Sequence, residues 1–432
     1  MTVDQVLTLL VLAGVVVMMI WDRLRADVVA LTGAAILLMT GVVRPSEVQG
    51  AFASPAIIAL ASLFVIAYAL ELSGLLDRAI SLGVSLCQRM GPKGLWLLLS
   101  MIGGVSCFLN STPIVVLGAP VIRDVANALR QSPKRYLMPL SYITVLTGCC
   151  TLIGTSTNLL VDDMARIAGQ PRFGIFEITP GGLPMAIGGG LYRFLISGRL
   201  RQHKDREEDV SPVDISHIAS AQVGDASLFA EKRPLKLRKA LTALGVFVGA
   251  VSLAALNAAP IAATALAGAV LLILLRVISA DEAYSGLKPQ ILILIAGMVV
   301  IGIAMEESGL ADAASEMLIA SVYGLSPLIA LIVLYLVTMV LTELLSNATV
   351  AVLVTPVAVA LAESLAVSPR PFLVAVMMAA SAAFATPFGY QTNVIVYQMG
   401  GYRYMDFVRV GLPLNLITCV AAILAIQRFF PF

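Results

Sequence analysis

Apolar runs of 15 to 37 residues follow one another along nearly the whole chain, and they leave few folds open. In the first half they cover about 3–20, 28–42, 55–72, 94–125, 137–160 and 182–197. In the second half they cover about 240–257, 260–277, 289–305, 325–361, 370–399 and 408–428. A helix needs about 20 apolar residues to cross a bilayer, and lipid tolerates no unpaired backbone. Of the 432 residues only 12% are charged, about half the share of a soluble domain. The pattern predicts an all-α polytopic membrane protein, with the run Val6 to Ile20 as a retained first helix. Residues 198–239 break the pattern: charged and without apolar periodicity, they read as a solvated linker.

The two halves are related. Glu71-Leu72-Ser73-Gly74 recurs as Glu306-Glu307-Ser308-Gly309, and Thr157-Asn158 as Thr392-Asn393, both displaced by 235. Ser132-Pro133 recurs as Ser368-Pro369, displaced by 236, and Leu183-Pro184 as Leu412-Pro413, displaced by 229. Matches that stay in phase this long point to an internal duplication.

Two runs, 94–125 and 325–361, are too long for one crossing and carry polar clusters near their middles. One cluster is Leu109-Asn110-Ser111-Thr112-Pro113 and the other Leu345-Ser346-Asn347-Ala348-Thr349, followed at matching distance by Pro120 and Pro356. Each run fits a re-entrant hairpin with the polar cluster at its tip. Such backbone is tolerated at membrane depth only where it lines a site. Two hairpins leave five crossings per half, and an odd number inverts the second repeat.

The expected division is therefore 1–197, 198–239 and 240–432. The first repeat holds scaffold helices 1–72, an interfacial arm 75–93, a hairpin 94–125, a broken helix 137–168 and a last helix 182–197. The second holds scaffold helices 240–305, an arm 310–324, a hairpin 325–361, a broken helix 370–399 and a last helix 408–428. Charge sets the orientation. With the linker inside, the inner connections hold Arg23, Arg78, Arg89, Lys134, Arg135, Arg276, Lys288, Arg403 and others, and Arg193 marks the inner end of its helix. Only Arg44, Arg166, Arg172, Arg370 and Arg428 remain outside. The asymmetry matches the positive-inside rule.

Four polar stretches thus lie at membrane depth: the two tips, Gly154-Thr155-Ser156-Thr157-Asn158, and the stretch Ala385 to Asn393. The last two interrupt apolar helices and should break them. Broken half-helices offer free N–H groups to an anion and free C=O groups to a cation. With hydroxyl and amide oxygens beside them, two Na+ sites flanking one anion are expected, each tip pairing with the broken helix of its own repeat. None of the four stretches holds Lys or Arg. Glu343, three residues before Ser346, either adds charge to the second cation site, accepts a proton, or sits at a wet hairpin mouth. Cys87, Cys107, Cys149, Cys150 and Cys419 lack metal-ligand spacing, and His203 and His217 lie in the linker. No histidine-based metal site is expected.

At these residues the chain resembles the divalent anion:sodium symporter family of the wider ion transporter superfamily. The carriers are the paired tips, TLIGTSTN (151–158) and ATPFGYQTN (385–393); Asn-Ser-Thr-Pro in the first tip is most similar to the sulfate-permease-type branch. The resemblance implies one Na+ near Asn110, Ser111, Gly154 and Asn158, and a second near Ser346, Asn347, Thr386 and Asn393. It places the substrate at Thr112, Thr155, Ser156, Asn347, Thr349, Thr386 and Pro387. The order Asn110-Ser111 inverts the family's usual one, Ala348 intervenes before Thr349, and Ser156-Thr157 stand where prolines would be. Many members of that branch carry cytosolic domains between the halves, where this chain has only its linker. The resemblance further implies a homodimer, an elevator movement and a cell inner membrane location. The expectation is a transporter, not an enzyme: a Na+-coupled symporter of sulfate or a dicarboxylate. An arsenite or Na+/H+ exchanger of the same superfamily, and a non-cycling membrane sensor or channel, are the rivals.

Overall fold

The computed structural model describes residues 2–21, 24–75, 78, 90–129, 131–196, 234–256, 258–313, 326–387 and 389–432. The expected interfacial arms and the linker lie almost wholly outside them. Among the described residues there are helices and connections but no strand.

The first half runs α1 (Val3–Trp21), α2 (Ala26–Met39), α3 (Pro45–Phe52), α4 (Pro55–Leu72), α5 (Pro92–Ser106), α6 (Ser111–Ala128), α7 (Lys134–Gly148), α8 (Ser156–Ile167) and α9 (Thr179–Ile196). The second runs α10 (Leu237–Ala255), α11 (Ile261–Leu274), α12 (Ala280–Gly286), α13 (Pro289–Glu307), α14 (Pro327–Leu344), α15 (Asn347–Ser364), α16 (Arg370–Ser381), α17 (Gln391–Gly400) and α18 (Tyr404–Phe429). Helix α10 begins inside the stretch expected as linker. It is tied down there by Lys236 N donating to Ser73 O (2.9 Å) and Lys239 Nζ to Val277 O (2.7 Å).

Among the described residues, six helices, or continuous helix pairs, are long and apolar enough to cross a membrane by themselves. Others are short; α2 and α11 have 14 residues each, about 21 Å of helix. Leu412, Leu416, Val420 and Leu424, four apart on α18, are exposed, as are Leu241, Leu244 and Val248 on α10. Such stripes in so apolar a chain face lipid. The molecule is a multi-pass membrane protein.

Packing follows matched partners. Helix α2 lies against α13 and α4 against α11; since α2 corresponds to α11 and α4 to α13, the two contacts are counterparts of each other. Gly297 makes the first contact possible: a Cβ there would stand 2.9–3.1 Å from the backbone and Cβ of Ala30. Hairpin α5–α6 packs on α7, and α14–α15 on α16. The second half-helices cross over, α8 onto α15 and α17 onto α6. Each tip therefore leans on the broken helices of both halves, not only on that of its own. Helix α16 is the centre of the core: from Pro371 to Ser381 every residue is buried. A helix apolar all round has no face to offer water and must be enclosed by protein.

Candidate functional site

Both tips are built by the same local chemistry. Asn110 caps α6, its Oδ1 accepting from Thr112 N at 3.1 Å. Ser346 caps α15, its Oγ accepting from Thr349 N at 3.2 Å and lying 2.7 Å from Thr349 Oγ1. A side-chain cap satisfies one of the free N–H groups of a helix start and contributes about 1 kcal/mol. The first break runs from Cys149 to Thr155, a turn earlier than expected, because the Thr155 hydroxyl caps Thr157 N (3.4 Å) and starts α8 at Ser156. Ser156 and Asn158 thus stand in the first turn of α8 rather than in the break. The second break covers 382–390, and α17 begins at Gln391.

Around the first tip, oxygens gather without enough protons to serve them all. Ser106 Oγ and Ser111 Oγ lie 2.9 and 3.0 Å from Thr144 O and 3.1 Å from each other. Two hydroxyl protons cannot satisfy three such contacts. Thr151 Oγ1 donates to Cys107 O and accepts from Gly154 N (3.2 Å). Asn158 Nδ2 donates to Thr151 O (3.0 Å), while its Oδ1 is buried with no hydrogen-bond partner among the described residues. Gly154 lets these strands of backbone meet: a Cβ there would stand 2.4 Å from Gly148 O and 2.6 Å from Cys107 O.

The second tip repeats this with the displacement seen in the sequence. Thr342 Oγ1 lies 2.6 Å from Ala380 O and 3.0 Å from Asn347 Oδ1, as Ser106 does from Thr144 O and Ser111. Thr386 Oγ1 meets Glu343 O (3.3 Å) and accepts from Gly389 N (3.0 Å), the counterparts of Cys107 O and Gly154 N. Asn393 Nδ2 donates to Thr386 O (3.2 Å) and Ala383 O (2.8 Å). Unlike Asn158, its Oδ1 has a partner, Ser141 Oγ at 2.7 Å.

The halves differ in charge at one position. Where the first has Cys107, the second has Glu343, half-buried and held by four donors. Its Oε1 accepts from Ala385 N and Asn415 Nδ2, both at 2.8 Å. Its Oε2 accepts from Thr386 N (2.9 Å) and Thr386 Oγ1 (2.8 Å). The free N–H groups of the second break are thereby used on a carboxylate.

Helix starts converge between the tips. Thr112 Oγ1 at the start of α6 donates to Gln391 Oε1 at the start of α17 (3.3 Å). The starts of α6 and α17 thus meet, and their dipoles favour negative charge there.

Of the residues singled out in the sequence, Ser111, Gly154 and Asn158 come together at the first tip, while Thr112 stands at the start of α6 and Thr155 at that of α8. Asn110 is engaged as a cap, and Ser156 is half-buried in the first turn of α8. Ser346, Asn347, Thr349, Thr386 and Asn393 cluster at the second tip, with Pro387 buried in its break. Sequence reasoning missed Ser106, Thr342 and Asn415, and did not single out Thr151 and Gln391 within the stretches that hold them. Thr151 was within reach of it: like Thr386, it stands seven residues before a repeat-matched asparagine. Asn415 left no signal, being 72 residues from the carboxylate it holds.

A model of the citrate transporter family (CitMHS) matches residues 16–366, and again 253–431. The chain belongs to that family. It is a transporter, not an enzyme. A Synechocystis protein described as an uncharacterized transporter is 26% identical over 98% of this chain and 97% of its own length. That alignment runs over 597 positions, more than the chain's 432 residues, so the relative carries residues that this family member lacks. A probable sodium/sulfate cotransporter of Chlamydomonas reinhardtii is 35% identical over 29% of this chain and 15% of its own. A sodium-dependent dicarboxylate transporter of Staphylococcus saprophyticus is 31% identical over 33% of this chain and 27% of its own.

Proposed function

We propose that the chain is a secondary active transporter that moves a small divalent anion, sulfate or a di- or tricarboxylate, together with Na+. The observation that carries this reading is the matched pair of oxygen clusters, each built by a hairpin tip and a break, on either side of converging helix starts. Their donors are hydroxyl, amide and carbonyl oxygens, the hard neutral ligands that suit Na+. Ser111, Asn158 and the carbonyls of Thr144, Gly148 and Cys107 would hold the first ion. Asn347, Thr386, Asn393 and Glu343 would hold the second. Asn347 is placed for it: turning its amide so that Nδ2 donates to Thr342 Oγ1 aims Oδ1 where the unpartnered nitrogen now lies. The anion would take the helix starts between them, with Thr112, Thr155, Ser156, Thr349 and Pro387 around it. The relatives named for sodium/sulfate and sodium-dependent dicarboxylate transport support both cargoes.

In this reading the halves are inverted repeats, the linker is cytoplasmic, the membrane is the cell's inner one, and two copies form a dimer. Hairpins, broken helices and last helices move together against the scaffold helices. The test is uptake of labelled sulfate, succinate and citrate by proteoliposomes. Uptake driven by an inward Na+ gradient is expected; uptake indifferent to Na+ rejects symport. A second reading has one observation behind it: Glu343 could carry a proton at the second site. Uptake driven by a pH gradient without Na+ would select it. Counterflow separates a carrier from a sensor, since only a carrier exchanges labelled for unlabelled anion.

A further inference from the structure

Arg193, in the last turn of α9, has no solvent exposure, and its Nε, NH1 and NH2 have no hydrogen-bond partner among the described residues. A guanidinium keeps its charge in proteins, and burying it unpaired costs several kcal/mol. What surrounds it does little to cancel that charge. The Tyr142 ring lies 5.1 Å from the guanidinium carbon, and the carboxyl end of α9 adds a partial negative charge. The titratable groups near it are Tyr142, Tyr192 and Tyr402. Each phenol donates its proton elsewhere: Tyr142 to Phe384 O (2.7 Å), Tyr192 to Val410 O (3.2 Å) and Tyr402 to Lys134 O.

The path from Arg193 to the site is short in residues. Tyr142 holds Phe384 O, and the next two residues, Ala385 and Thr386, give their N–H groups to Glu343. In a buried, water-poor region the Arg193 charge acts at long range with little screening. Resting on the anion-transport reading above, we propose that Arg193 is a specificity-determining charge that selects a dianion over a monoanion of the same shape. Its Coulomb energy with a ligand is proportional to the ligand's charge. Losing it therefore weakens a dianion by the square of the factor that it weakens a matched monoanion. A packing role would weaken both alike.

The experiment uses the full chain in lipid nanodiscs at fixed Na+. Affinities are measured for succinate against monomethyl succinate and for sulfate against methyl sulfate. Arg193→Gln and Arg193→Met should show the squared relation, and Arg193→Lys should keep the original ratio. Equal losses for both partners of a pair, or Met serving as well as Lys, overturns the proposal. Wild-type protein gives a reading that does not depend on how Arg193 variants fold: it should bind each dianion more tightly than its matched monoanion, and equal affinities overturn the proposal. Wild-type protein that binds none of the four anions overturns the parent reading instead.

Discussion

Asn347 shows what a single residue contributes here. Its amide faces Thr342 on one side and an unpartnered direction on the other. Asn347→Ala should weaken Na+ dependence and anion affinity together, seen as parallel shifts in Na+ activation and in substrate KM. Anion affinity that survives with the Na+ response intact would place the second ion elsewhere. Gly154 is constrained by space rather than by chemistry. A Cβ would stand 2.4 and 2.6 Å from two backbone carbonyls, which cannot swing aside as a long side chain can. Gly154→Ala should abolish uptake while the protein still reaches the membrane in ordinary amount. Near-normal uptake would mean that the first break rearranges freely.

At the scale of elements, caps and breaks decide where helices begin, and their starts make the site. Ser346 caps α15 through Thr349 N. Replacing such a cap by Ala typically costs about 1 kcal/mol, and by Gly only a few tenths. Ser346→Ala should therefore lower thermal stability more than Ser346→Gly. Equal loss of Na+ response in both would show that the hydroxyl also serves the ion. Helix α16 is fixed at its start by Arg370, whose Nε and NH2 donate to Glu177 at 2.9 and 3.0 Å and whose guanidinium stacks 3.6 Å from Phe173. That planar fork cannot be copied by an ammonium. Arg370→Lys should thus lower the melting temperature measurably although charge is kept; an unchanged melting temperature would make the tie dispensable.

For the whole molecule, two ion sites and one anion site predict uptake that rises more steeply than linearly with Na+. A simple hyperbola would reduce the coupling to one ion. Ligands that bind the folded state stabilise it by mass action, by about 2.7 kcal/mol at a hundredfold excess over Kd. A thermal screen of sulfate, succinate and citrate should then pick out the cargo, with its stabilisation larger in Na+ than in choline. Stabilisation independent of Na+ would uncouple the two sites.

Membrane class, helix order and polar tips were legible in the residues because lipid penalises any buried polar group that lacks a purpose. Spanning runs and the four polar stretches follow from that penalty, and the displacement of 235–236 from an internal duplication. Ligand partners did not follow. Hydrogen bonds such as Asn415 to Glu343, Ser141 to Asn393 and Thr112 to Gln391 join residues 72 to 279 positions apart. Only the packing of α18 on α14, and of α17 on α7 and α6, decides them. The same holds for Arg193, which charge counting assigns to an inner helix end and the fold encloses completely. A linear pattern records which groups are costly to bury; which neighbours relieve that cost is a property of the closed structure.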